Sequence, residues 1–319
     1  MTLRWLILAA VMVAVLACLP LGASEPGGEA SKNPYVVVLG IAQDGGYPQA
    51  GCRQRCCAPA WRDPARRRHV ASLAIVEPGT QRRWLIDATP DFREQLRILD
   101  ELAPSESSPA LDGIFLTHAH VGHYTGLMQL GREVMGTNSV PVYAMPRMRR
   151  YLETSGPWDQ LVKLKNIDIR PLEAGREVML SGKLTVTPLP VPHRDEYSET
   201  VGYRIRGPAR SVLYIPDIDK WEKWGTPLEK ALASVDVAYV DGTFYAEGEL
   251  PGRNMSEIPH PFIVETMARL AGLAEKERAK VRFLHLNHSN PALDPRGDAR
   301  RRITRAGFSV ADEGERQAL

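Results

Sequence analysis

Directly after the apolar run Ile114-Phe115-Leu116 the chain reads Thr117-His118-Ala119-His120-Val121-Gly122-His123, which places three of its eight histidines within six residues. Histidines two apart on an extended segment project to the same side, and neutral imidazole is the commonest protein ligand for a metal ion. The spacing therefore predicts a metal site on a strand-to-helix loop, and a fold that must bring other donors to it. Candidates recur downstream and upstream: Asp87, His193, Asp217 and His285 each sit at the end of a strand-like run or just beyond one.

Those runs alternate with helical patterns. Residues 35–40, 72–76, 83–86, 114–117, 140–144, 167–171, 184–191, 201–206, 211–215, 235–240 and 281–286 read as strands, the second and third as a hairpin around Pro78-Gly79. Thr89-Pro90-Asp91 has the chemistry of a helix start, with Thr89 as the cap, and Phe92, Leu96, Leu99 and Leu102 then recur at helical spacing. Further helices are expected over 125–135, from 146 through 151, over 228–233, and as one long segment over 262–278. Between the first two strands, residues 42–64 form a loop rich in glycine, proline and cysteine.

Arg4 followed by an uncharged stretch with an aliphatic centre, Leu6 to Leu16, reads as an export signal over residues 1–23. Its apolar core is shorter than the roughly 20 residues a spanning helix needs. Val15-Leu16-Ala17-Cys18 also has the form of a lipoprotein signal, in which a lipid on Cys18 would be the sole membrane attachment. The expected location is secreted or periplasmic. Residues 24–33 read as a flexible leader and 34–319 as the folded domain. A net charge of +2 offers no footing for nucleic acid, and a small molecule is the expected partner; oligomeric state is not legible. Beyond Cys18 three cysteines remain, Cys52, Cys56 and Cys57. An odd, crowded set suits thiolate ligands of a structural zinc better than disulfides, with a fourth ligand from elsewhere.

Asp87, the His-x-His-x-x-His run, His193, Asp217 and His285 stand in the order of the five motifs of the metallo-β-lactamase superfamily, and the chain resembles that superfamily over its whole mature length. The segments Ala42-Gln43-Asp44-Gly45-Gly46-Tyr47-Pro48-Gln49, Asp87-Ala88-Thr89-Pro90-Asp91, Asp241-Gly242-Thr243-Phe244 and His285-Leu286-Asn287-His288-Ser289-Asn290-Pro291 look like its coenzyme PQQ synthesis protein B branch. The resemblance implies an α/β fold, an αββα sandwich of two mixed sheets. It implies a first metal on His118, His120 and His193, a second on His123 and His285, Asp217 bridging both, and Asp87 orienting ligands from behind. A related cyclic phosphodiesterase of phosphonate breakdown implies that Cys52, Cys56, Cys57 and His288 hold a structural zinc.

Active members usually carry Asp between the second and third histidines of the cluster, where this chain has Gly122. The second position is then expected to be incomplete, with Asp241 or His260 as substitutes, and Gly122→Asp would be expected to add an ion. The implied cofactors are zinc, one structural ion and one or two at the histidines, or iron at the second position, since two histidines and a carboxylate also serve non-haem iron. The expected activity is hydrolysis of an ester, lactone or phosphodiester by metal-bound hydroxide. The competing readings are an iron oxidoreductase like the PQQ branch, and a binding protein that keeps metal without turnover. Tyr124, Tyr197, Phe244 and residues 255–261 are the expected pocket lining.

Overall fold

Strands form where β-branched and aromatic residues run together between turns. They are β1 (Tyr35–Gly40), β2 (Ser72–Glu77), β3 (Arg82–Ile86), β4 (Gly113–Phe115), β5 (Val140–Ala144), β6 (Ile167–Pro171), β7 (Val178–Ser181), β8 (Leu184–Pro190), β9 (Val201–Arg206), β10 (Ser211–Ile215), β11 (Val237–Asp241), β12 (Val281–Leu284), β13 (Ser309–Val310) and β14 (Arg316–Ala318). The structure, a computed structural model, describes residues 33–106 and 111–319. Among these residues the strands make two seven-stranded sheets, ordered β14-β1-β2-β3-β4-β5-β6 and β13-β12-β11-β10-β9-β8-β7. Both are mixed in the same way. In the first, pairing is antiparallel from β14 through β3 and parallel from β3 to β6. In the second it is antiparallel from β7 to β10 and parallel from β10 to β13.

Because successive side chains on a strand point to opposite faces, each strand serves two cores. Val36 and Val38 join Trp84, Ile86 and Phe115 in packing against Tyr203, Ile205, Val212 and Tyr214 of the other sheet. Val37, Leu39, Leu85 and Ile114 face the opposite way, under Phe92 and Leu99 of helix Phe92–Leu102 and Met148 and Leu152 of helix Pro146–Thr154. Leu228, Leu232, Ile263, Leu270 and Ile303 bring helices Leu228–Ala233, Ile263–Leu270 and Asp298–Arg305 onto the second sheet. The result is the expected αββα sandwich. Full burial of each such side chain contributes roughly 1.5–3 kcal/mol, enough in sum to hold the strand ends as a rigid platform.

Three expected elements differ. Helix 262–278 is broken into Ile263–Leu270 and Glu275–Arg278 at Gly272, where helix propensity is poor; the Arg278 guanidinium donates to the freed carbonyls of Ala271 and Leu273. Helix 125–135 is replaced by a turn over Val121–Tyr124 and a 3-10 segment over Thr125–Leu130. Its backbone is tied instead to the loop after β3, by Ala88 N to His123 O and Gly126 N to Ala88 O, each 2.9 Å. The cap of helix Phe92–Leu102 is Asp91, not Thr89; the Thr89 hydroxyl accepts from Asp91 N at 3.0 Å, so the capping chemistry starts one turn ahead of the helix. The export signal, Cys18 and the leader lie outside the described residues, Asn33 excepted. No helix among the described residues is long and apolar enough to cross a membrane.

Candidate metal centres

The parallel halves of both sheets end at one edge, the usual place for ligand sites on parallel strands. Asp87 follows β3, the histidine cluster follows β4, His193 follows β8, Asp217 follows β10, Asp241 closes β11, and His285 follows β12. Their donor atoms converge. His118, His120, His193 and Asp217 form one group whose donor atoms lie within 4.8 Å of one another, and Asp44, His123, Asp217 and His285 form a second. Asp217 is common to both. Its Oδ2 lies 3.4 Å from His118 Nε2, 3.2 Å from His123 Nε2 and 3.4 Å from His285 Nε2. Its Oδ1 lies 3.7 Å from His193 Nε2.

A tetrahedral ion with bonds near 2.1 Å sets its ligands roughly 3.4 Å apart, so these separations fit metal ligation. The hydrogen-bond pattern points the same way. His118, His123, His193 and His285 each have a buried Nε2 without a hydrogen-bond partner, which is costly unless something polar is meant to meet it. On the rear side the rings are held. Asp87, fully buried, takes His123 Nδ1 at 2.7 Å and accepts from Thr117 N at 2.8 Å and from the Thr117 hydroxyl at 3.0 Å. That hydroxyl lies 3.0 Å from His118 Nδ1. The second sheet repeats the device: Asp241 accepts from the Thr243 hydroxyl at 2.7 Å, and that hydroxyl lies 3.0 Å from His285 Nδ1. With Nδ1 carrying the hydrogen, each Nε2 lone pair is aimed at the centre. His120 has Glu196 behind it, at 3.2 Å from Nε2. Asp87 and His285 adopt the left-handed backbone, with φ of 69° and 61°.

The expectation of an incomplete second position needs correction, because a fourth donor stands there. Asp44 Oδ1 lies 3.3 Å from His123 Nε2 and 3.7 Å from His285 Nε2, and it too is buried without a hydrogen-bond partner. The expected substitutes, Asp241 and His260, form a further group with Asp217 whose donor atoms lie within 4.8 Å of one another: His260 Nδ1 is 2.8 Å from Asp241 Oδ2 and 3.3 Å from Asp217 Oδ1. The sequence pattern also left Thr117 and Thr243 unnoticed, since hydroxyls behind histidines have no signature spacing.

Electrostatics divide the two positions. Burial, then the charge of His123, drives His118 well below the usual histidine range, and burial also lowers His193. Burial opposes charge on His123 as well, but Asp87, Asp217 and Asp44 outweigh it and raise that imidazole well above its usual range. Burial likewise opposes ionisation of Asp44 and Asp217, and the surrounding histidines win, holding both carboxyls low. For His260, burial loses to Asp241 and Asp217, which push it up to about 9.

Across the loop from Asp44, the cysteines gather as expected around His288. Cys52 and Cys56 sulfurs are 3.6 Å apart, and His288 Nδ1 lies 3.6 Å from Cys56 Sγ and 3.4 Å from Cys57 Sγ. Tetrahedral zinc with sulfur bonds of 2.3 Å separates its ligands by about 3.5–3.8 Å. All three thiols are free of disulfides, and burial pushes Cys57 up to about 12, a cost that a bound cation offsets. Of the expected pocket residues, Phe244 packs with Met255 and Phe262 in a small core of its own, and Tyr124 is buried against Tyr151 and Trp158. Tyr197 is exposed and lies 5.2 Å from the Tyr151 ring.

Comparison with known proteins agrees with this fold. A family model described as the beta-lactamase superfamily domain matches residues 82–285. Coenzyme PQQ synthesis protein B of Methylobacterium nodulans is 29% identical over 309 residues, covering 87% of this chain and 97% of that protein. The protein of the same name from Methylobacterium sp. strain 4-46 is 30% identical, covering 87% and 97%. Among solved structures, zinc-bound PqqB from Methylobacterium extorquens superposes with a TM-score of 0.75 at 25% identity, over 89% of this chain and all of that one. A diphosphatase from the PhnP family shares the fold, with a TM-score of 0.63 at 22% identity over 90% and 97% of the two chains.

Proposed function

The chain belongs to the beta-lactamase superfamily, in the branch of the coenzyme PQQ synthesis protein B homologues, and on that premise we propose that it is a metal-dependent hydrolase of esters, lactones or phosphodiesters. One observation carries the reading: four buried, unpartnered histidine Nε2 atoms surround the carboxylate of Asp217. His118, His120 and His193 would hold the first ion, and His123 and His285 the second, with Asp217 between them. A divalent ion so held lowers the pKa of water to about 7 and polarises a carbonyl or phosphoryl oxygen.

The protein's own residues prepare that chemistry. Thr117 and Asp87 hold His118 and His123 in one tautomer, Thr243 does the same for His285, and Asp241 takes His260 Nδ1 at 2.8 Å, beside Asp217. Substrate reaches the centre beside His120 and Asp44, whose side chains keep 14% and 24% of their exposure while the other ligands are nearly sealed. The export signal in residues 1–23 would place the substrate outside the cytoplasm.

Zinc in protein purified without added metal, with turnover of a phosphodiester, ester or lactone that is lost on chelation and restored by zinc, is the expected result. A zinc-loaded protein inert on all three classes sinks hydrolysis and leaves metal-retaining binding. Likeness to the PQQ synthesis proteins favours a second reading, oxidation of a small aromatic or quinone precursor with iron at the second position. Iron content together with oxygen consumption would decide for it.

A further inference from the structure

We propose that Asp44 is the carboxylate ligand of the second centre, moved out of the histidine cluster into the loop after β1, and that Gly122 is the vacancy that admits it. The inference rests on metal binding as read above, but not on which reaction follows. Two observations made on different residues agree. Asp44 Oδ1 is a buried, unpartnered atom placed between His123 Nε2 and His285 Nε2, at 3.3 and 3.7 Å. A Cβ built at residue 122 would overlap that same oxygen and stand 2.7 Å from Asp44 Cα. A side chain at 122 and the backbone at 44 therefore exclude one another. Aspartate at 122 would have to displace the loop that now supplies the charge.

The loop is fastened where such a ligand needs fastening. Gln43 N donates to Leu286 O at 2.9 Å and Leu286 N to Ile41 O at 2.7 Å, which registers Asp44 against the segment that begins with His285. Gly46, with φ of 66°, turns the chain back, and its N–H closes on Gln43 O at 2.7 Å. Beyond the turn, the Tyr47 hydroxyl donates to Cys56 O at 2.8 Å, so the cysteine cluster braces the far end. Two carboxylates, Asp44 and Asp217, then face two divalent ions, the same ligand charge that an aspartate at 122 would have provided.

The test uses the full mature chain, loaded with zinc, desalted and assayed for metal per chain, with cobalt substitution to read the thiolate cluster separately. Wild type is expected to hold three ions. Asp44→Ala should lose one equivalent while the cobalt–thiolate absorption is unchanged, and Asp44→Asn should do the same if the alanine form is unstable. Gly122→Asp should not gain an ion and should melt lower than wild type, and adding Asp44→Gly should not restore the third ion, because the Cα at 44 still meets the new Cβ at 2.7 Å. Retention of three ions by both Asp44 variants, or a gain on Gly122→Asp alone, overturns the proposal. Wild type holding only the thiolate-bound ion would instead remove the metal-dependent reading beneath it.

Discussion

The first and second centres share Asp217 and one edge of the sandwich, yet they are assembled in different ways. His118, His120 and His193 come from two loops anchored on β4 and β8, behind which Thr117 and Glu196 stand at 3.0 and 3.2 Å. Asp44, His123 and His285 come from three segments, one of them a loop whose other end is held by cysteines and His288. The first centre depends on its own strands. The second depends on whether the loop after β1 is in place, so it reports on parts of the molecule the first ignores.

The most severe way to break that contrast is to remove what the centres have in common. Asp217→Ala should strip both active-site ions and reduce hydrolysis below detection while the thiolate-bound ion remains. Elemental analysis that finds one active-site ion still bound would show that Asp217 does not bridge. A smaller effect, and a selective one, is expected at the cysteines. Cys56→Ala should lose the thiolate-bound ion and lower the melting temperature by on the order of 10 °C. It should also weaken the second centre through Asp44 while the first keeps its ion. Unchanged zinc content would discount the cysteine cluster, and equal losses at both centres would erase the distinction between them.

The mildest probe is acid. Ligation requires an unprotonated Nε2. In the metal-free molecule His123 is raised by its carboxylates and competes for a proton at higher pH, whereas His118 and His193 are lowered and stay neutral further down. On stepwise acidification the second-centre ion should leave first, and the first-centre ion only at lower pH. Release measured by dialysis and elemental analysis in the reverse order would contradict this assignment of charge.

Much of the sandwich was legible because strands buried on both faces leave continuous apolar runs, and the donors at their ends stand out as polar interruptions. The same rule hides Asp44. It lies among glycines in a loop without periodicity, and only the return of the chain after β12 gives it neighbours. Thr117 and Thr243 are hidden for another reason: their role is a matter of hydroxyl distance, to which sequence spacing is blind. Helix Asp298–Arg305 escapes because its buried face amounts to Ala299 and Ile303 in a run of arginines, and β14 pairs with β1 from the far end of the chain. The long helix fails at Gly272 because a periodic pattern does not register that Leu273 must turn inward to pack on the core.

Asp87 and His285 hold a backbone conformation that costs residues with side chains of order 1–3 kcal/mol each. Glycine at 87 would orphan the buried groups that Asp87 now accepts from, but glycine at 285 would ease the chain while deleting a ligand, so at that point durability and chemistry pull in opposite directions. A lineage selected only for heat resistance should drift toward glycine there and lose a metal before it loses its fold.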